Sequence, residues 1–175
     1  MKYQNRMAAI AGSLLVMATA NAQAPAGGGP KMELSTQAAT NTVSRPVISA
    51  KGAQALLQAA QAMAERNHWG MTITVVDDSG RLVAFLRMDG APVGTIDASQ
   101  GKAVTAVKFK LPTSLVQKMV SGGGVGMLSI PGITALTGGY PIVVGGQVVG
   151  GIGVSGGLSD EDDRTAQAAL AAFKG

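Results

Sequence analysis

Few side chains in this sequence can do chemistry, which narrows its options. The chain holds one histidine, His68, and no cysteine. Disulfides, cysteine-ligated zinc and iron–sulfur clusters are excluded. A Ser-His-Asp triad would have to be built on His68, and a multi-histidine metal site is impossible. His68 stands beside Trp69, between a helix end and a strand. Two readings stay open for it: a surface or capping residue, or a ligand to iron. Met63, Met71, Met88, Met119 and Met127 carry thioethers that can ligate soft metals. Their places on apolar faces favour packing. Arg87 and Asp89, with Lys102, surround a Met88-Asp89-Gly90-Ala91 turn. They form either a solvated ion-pair group or a place where Arg87 and Lys102 bind the carboxylates of a ligand.

Gly151-Ile152-Gly153-Val154-Ser155-Gly156 has the form G-x-G-x-x-G. As a dinucleotide fingerprint it would need a parallel βαβ setting. Here it falls within and just after a strand of a hairpin, and four carboxylates, Asp160 to Asp163, follow. These would repel a pyrophosphate, so the glycines are read as letting a helix or a ligand approach the sheet closely. Gly122 to Gly126 is a mobile loop or the rim of a pocket, and no lysine follows to make it a P-loop.

The elements that must position these residues follow from periodicity. Ser49 to Arg66 carries Ala53, Leu56, Leu57, Ala60, Met63 and Ala64 at three-and-four spacing, which predicts a helix capped by Ser49 and stopped at Asn67. Met71 to Val76 and Arg81 to Met88 alternate as strands about an Asp77-Asp78-Ser79-Gly80 turn. Thr95 to Phe109 reads as a second helix with Thr95 as N-cap; after Pro112, Thr113 caps a short helix to Val120. Tyr140 to Val144 and Gln147 to Val154 form a hairpin about Gly145-Gly146. The last helix starts at Ser159, with Asp162 completing a capping box, and buries Ala166, Leu170 and Phe173. A fifth strand is expected between Met127 and Leu136. The class is α/β, with a largely antiparallel sheet that helices must cover.

The N-terminus predicts export. Lys2 and Arg6 precede an uncharged apolar run, Met7 to Ala20, and Ala22-Gln23-Ala24 supplies a cleavage site. The signal peptide is residues 1–24, a flexible leader runs over 25–45, and the domain covers 46–175. The protein is expected in the periplasm or secreted, with no membrane span after cleavage. Losing Lys2 and Arg6 leaves twelve basic against ten acidic residues, scattered without a basic stripe, so nucleic acid is not an expected partner.

Val75-Val76-Asp77-Asp78-Ser79-Gly80, Arg87-Met88-Asp89-Gly90-Ala91 and the Lys102 to Phe109 helix together resemble the first block of the GlcG/HbpS family of haem-binding proteins. Gly138-Gly139-Tyr140-Pro141-Ile142, Gly150 to Gly157 and the acidic helix start resemble the second. The resemblance implies a profilin-like α/β/α sandwich around a five-stranded antiparallel sheet. It also implies homo-oligomers and non-covalent haem as cofactor. In that frame Arg87 or Lys102 would hold the propionates, and Thr113 or His68 would approach the iron. Thr113 is where the family pattern places a polar residue near the ligand. Two alternatives stand beside a haem-sequestering or haem-sensing module. One is an enzyme of haem degradation or of a small hydroxy acid; the other is a structural oligomer without ligand.

Overall fold

Two hairpins make the sheet, and their turns are written in the sequence. In a computed structural model describing residues 43–174, Asp77 Oδ1 accepts the backbone N–H groups of Ser79 and Arg81, both at 2.8 Å. This closes the turn between β1 (Thr72–Asp77) and β2 (Leu82–Arg87). Gly145 and Gly146, with φ of 56° and 78°, make the primed turn between β3 (Gly139–Val144) and β4 (Gln147–Ser155). The strands lie in the order β2-β1-β4-β3, every neighbour antiparallel. The expected signal peptide, leader residues 25–42 and Gly175 lie outside the described residues. No helix among the described residues is long and apolar enough to cross a membrane.

Alternation along the strands sends two kinds of side chain to the two faces. One face carries Ile73, Val75, Ile152 and Val154. Over it lie α1 (Ala50–Arg66), through Leu56, Leu57 and Ala60, and α4 (Ser159–Ala172), through Ala166 and Ala169. Ser49 caps α1 as expected, its Oγ accepting the Gly52 N–H at 3.1 Å.

The other face is built for close approach. It presents Thr72, Thr74 and Val76 of β1 beside Gly151 and Gly153 of β4, beneath α2 (Thr95–Phe109). Thr72 Oγ1 pairs with Thr95 Oγ1 at 2.6 Å and Thr74 Oγ1 with Ser99 Oγ at 2.8 Å. A methyl group at Gly153 would strike the Ser99 carbonyl and lie 2.6 Å from the Ala103 nitrogen; one at Gly151 would lie 2.7 Å from the Ala103 carbonyl. The G-x-G-x-x-G glycines therefore let a helix sit directly on the sheet.

The fifth strand expected between Met127 and Leu136 is not formed. After α3 (Thr113–Ser121), Val125–Ser129 makes a 3-10 turn, and Gly132 takes φ 75°. Pro131 has no N–H to offer a ladder. The backbone of this stretch is satisfied by side chains of the helices beneath it. Thr134 donates its N–H to Thr105 Oγ1, Thr137 donates to Gln117 Oε1, and Lys108 Nζ donates to the Pro131 carbonyl. The sheet of the described residues thus has four strands.

Candidate functional site

Gly138-Gly139, at the entry to β3, is the point on which side chains of three helices converge. A Cβ at Gly138 would lie 2.8 Å from Asp162 Cβ and 3.3 Å from Lys102 Nζ, and one at Gly139 would lie 2.7 Å from Thr113 Cγ2. Gly138 also holds φ 114°, open to glycine, while its carbonyl accepts the Val154 N–H.

Lys102 faces inward from the middle of α2, with its side chain 2% exposed. Its Nζ donates to Asp162 Oδ2 at 2.6 Å and to the Val154 carbonyl at 2.8 Å. Asp162 Oδ1 accepts the Gly157 N–H at 3.0 Å. Burial pushes the Lys102 ammonium down and the Asp162 carboxyl up, and their mutual contact opposes both shifts. The pair ties α2 to the first turn of α4 through the end of β4. Lys102 is therefore not on the Met88–Ala91 turn, and a ligand carboxylate cannot reach its buried head. Asp162 is not the cap expected of it either: Glu161 takes that role, its carboxylate accepting the Leu158 N–H at 2.7 Å.

Thr113 is the first residue of α3 and is fully buried. Its Oγ1 accepts the Gly139 N–H at 2.9 Å, so it fixes α3 to β3 instead of capping its own helix. Arg87 lies elsewhere. Its Nε and Nη2 both donate to the Ala91 carbonyl, at 2.9 and 2.8 Å, and clamp the turn after β2. Around it is a shallow pocket that also holds Glu65 and Asp89, two carboxylates that oppose an anionic ligand. His68 is exposed with φ 58°, and its N–H donates to the Glu65 carbonyl, so it ends α1. Thr113 and His68 belong to helices on opposite faces of the sheet. Of the four expected binding residues, the fold brings together Lys102 and Thr113, and it places Arg87 and His68 apart from them.

Next to Thr113 the surface becomes apolar. Leu115 and Met119 on α3, Val125 and Leu128 on the 3-10 turn, and Ile130 and Leu136 beyond it are all exposed. Met119 is 47% exposed, so it does not serve the core packing expected of it. Lys118 shares the outer face of α3 with Leu115 and Met119 through three-and-four spacing. Apolar side chains gathered in this way mark a contact surface. Between Ile130 and Thr137 the backbone beside them is held by Thr105, Lys108 and Gln117, through Thr134, Pro131 and Thr137.

Tyr140 adds a polar edge to β3. Its hydroxyl donates to Asp163 Oδ1 and accepts from Gln167 Nε2, both at 2.9 Å. Burial, then the Asp163 carboxylate, pushes its phenol up to about 12 from 10.0. A raised folded value means stability that is whole below pH 10 and is lost as pH climbs toward about 12. Alkaline titration followed by phenolate absorbance is expected to show a phase near pH 12 that Tyr140→Phe lacks. A Tyr140→Phe titration identical to that of the parent would contradict this.

A family model described as haem-degrading protein, HbpS-like, matches residues 48–171. Protein GlcG of Escherichia coli K12 is 40% identical over 110 residues, spanning 62% of this chain and 81% of GlcG. An HbpS double mutant from Streptomyces reticuli is similar in structure with a TM-score of 0.75 at 29% identity, covering 85% of this chain and 99% of that one. A PduOC structure in complex with heme gives 0.69 at 28% identity, covering 73% and 96%.

Proposed function

This chain belongs to the HbpS-like family, and from that premise we propose that it is an exported protein that binds haem non-covalently on the apolar surface beside Thr113. The observation that carries this reading is the set of exposed apolar side chains between Leu115 and Leu136. The structural neighbour PduOC, whose structure contains heme, supports the choice of ligand.

The residues present fit a porphyrin. Leu115, Met119, Val125 and Leu128 would form the wall against its ring, and Lys118 would pair with a propionate at the water-facing edge. Thr113, held by the Gly139 N–H, positions α3 and so the wall. The Lys102–Asp162 pair holds α2 to α4 and the end of β4 beneath it. When bound, the haem would supply one-electron redox chemistry at its iron. Arg87 and His68 play structural parts in this reading.

Titration of the purified protein with hemin is expected to give a saturable Soret shift at one haem per chain. Met119→Glu combined with Leu128→Glu places two carboxylates on the wall, where both side chains are already exposed, and is expected to weaken binding at least tenfold. A linear, unsaturable titration, or an unchanged affinity in the double variant, would rule the reading out.

Export enters the proposal through residues 1–24. The protein recovered from outside the cytoplasm is expected to have a mass that begins at Pro25. An intact Met1 on that exported material would contradict cleavage. Homo-oligomers are part of the same reading, because an apolar surface of this kind also suits contact between copies.

A further inference from the structure

The face of the sheet opposite α2 holds a second feature, which the haem reading does not use. The start of α1, the β3–β4 hairpin and the end of α4 frame an open, mostly apolar cavity of about 480 Å³. That volume falls within the ~300–1,000 Å³ range of small-molecule sites. Its walls are Val47, Ile48, Ala55, Val144, Val149 and Phe173. Among the described residues, the charged side chains in the lining are Lys51 and Lys174, and no Asp or Glu side chain joins them there. Neither lysine takes part in an ion pair among the described residues. Ser49, the other polar side chain, is committed to Gly52 as the cap of α1.

This arrangement selects a ligand by exclusion. A nucleotide or sugar would leave its polar groups unpaired against Val, Ile and Phe side chains. A purely apolar molecule would use the walls and ignore the two ammonium groups. A chain of methylenes ending in one carboxylate matches both: the chain replaces water along the apolar walls, and the head lies between two cations that keep it solvated at the mouth. We propose that this cavity is a binding site for a single-chain carboxylate amphiphile, separate from the haem surface because it lies across the sheet from α3.

The test uses decanoate below its micellar range, with decanol as the uncharged analogue, followed by calorimetry on the purified protein. Decanoate is expected to bind saturably at one per chain. Lys51→Gln with Lys174→Gln, both exposed in the parent, should weaken decanoate at least tenfold and change decanol less than twofold. Ala55→Phe, which fills the cavity from α1, should abolish binding of both. Absence of saturable decanoate binding would overturn the proposal. So would unchanged affinity in the double lysine variant, or full binding in Ala55→Phe. The hemin titration of the double lysine variant should match the parent; loss of hemin binding there would assign the cavity to haem and overturn a separate site.

Discussion

Replacing Gly153 with alanine is expected to destabilise the domain strongly. The new methyl group would occupy the place of the Ser99 carbonyl and lie 2.6 Å from the Ala103 nitrogen. Both obstacles are helix backbone, so no rotamer change can clear them. Either α2 lifts from the sheet or β4 buckles. Lifting α2 would break the Thr74–Ser99 hydrogen bond and open the Val76, Ala103, Val107 cluster. Overpacking a core usually costs ~1–3 kcal/mol, and a backbone collision at the centre of the sheet should reach the top of that range or pass it. A domain has only ~5–15 kcal/mol to lose. Thermal unfolding followed by circular dichroism should show a drop of about 10 °C or more. Gly94→Ala is the control, since nothing lies within 4 Å of the added carbon there. Equal melting of Gly153→Ala and the parent would mean that α2 does not rest on the sheet in this way.

The second large effect concerns the buried ion pair. Lys102→Met should cost about 3–5 kcal/mol, because it leaves Asp162 charged, buried and without its cation. It also strips the Val154 carbonyl of its donor. Adding Asp162→Asn should recover most of the loss, since the amide oxygen still accepts the Gly157 N–H and no charge remains. The pH dependence has a definite sign. Burial already holds the Asp162 carboxyl above its ordinary value, and losing Lys102 raises it further. A carboxyl raised in the folded state favours folding at low pH and loses that contribution as pH rises through its folded value. The single variant should therefore be more stable in denaturant at pH 5 than at pH 8, and the double variant should lose that dependence. A single variant as stable as the parent at pH 8 would show that the pair carries little.

How much of this could be read from residue order depends on whether the cause was local. Asp77 to Gly80 and Gly145-Gly146 carry their turns in their own chemistry, and both hairpins are where they were expected. Ser49 caps α1 by reaching only three residues on. The stretch from Met127 to Leu136 misled because its apolar residues resemble a strand. What decides it is Pro131 and the distant acceptors Thr105 and Gln117. Asp162 stands among four consecutive carboxylates at a helix start, and its spacing from Ser159 suits a capping box. Only the packing of α4 against the end of β4 determines which one turns inward. Lys102 did leave a trace. It sits between Ser99, Ala103 and Ala106 on the stripe of α2 that faces the sheet, and a lysine there requires a buried anion. Arg87 and Lys102 read together around the Met88–Ala91 turn, and the fold separates them. Haem entered only through resemblance, because a porphyrin surface is made of ordinary Leu, Met and Val side chains that carry no motif of their own.

The most direct test is to map hemin on the protein by methyl and amide NMR during titration. The perturbed signals are expected to belong to α3, the Val125–Ser129 turn and the segment to Leu136, with Leu115, Met119 and Leu128 foremost. Perturbation confined to the Lys51–Lys174 cavity or to the Arg87 turn, or no specific perturbation at all, would contradict it.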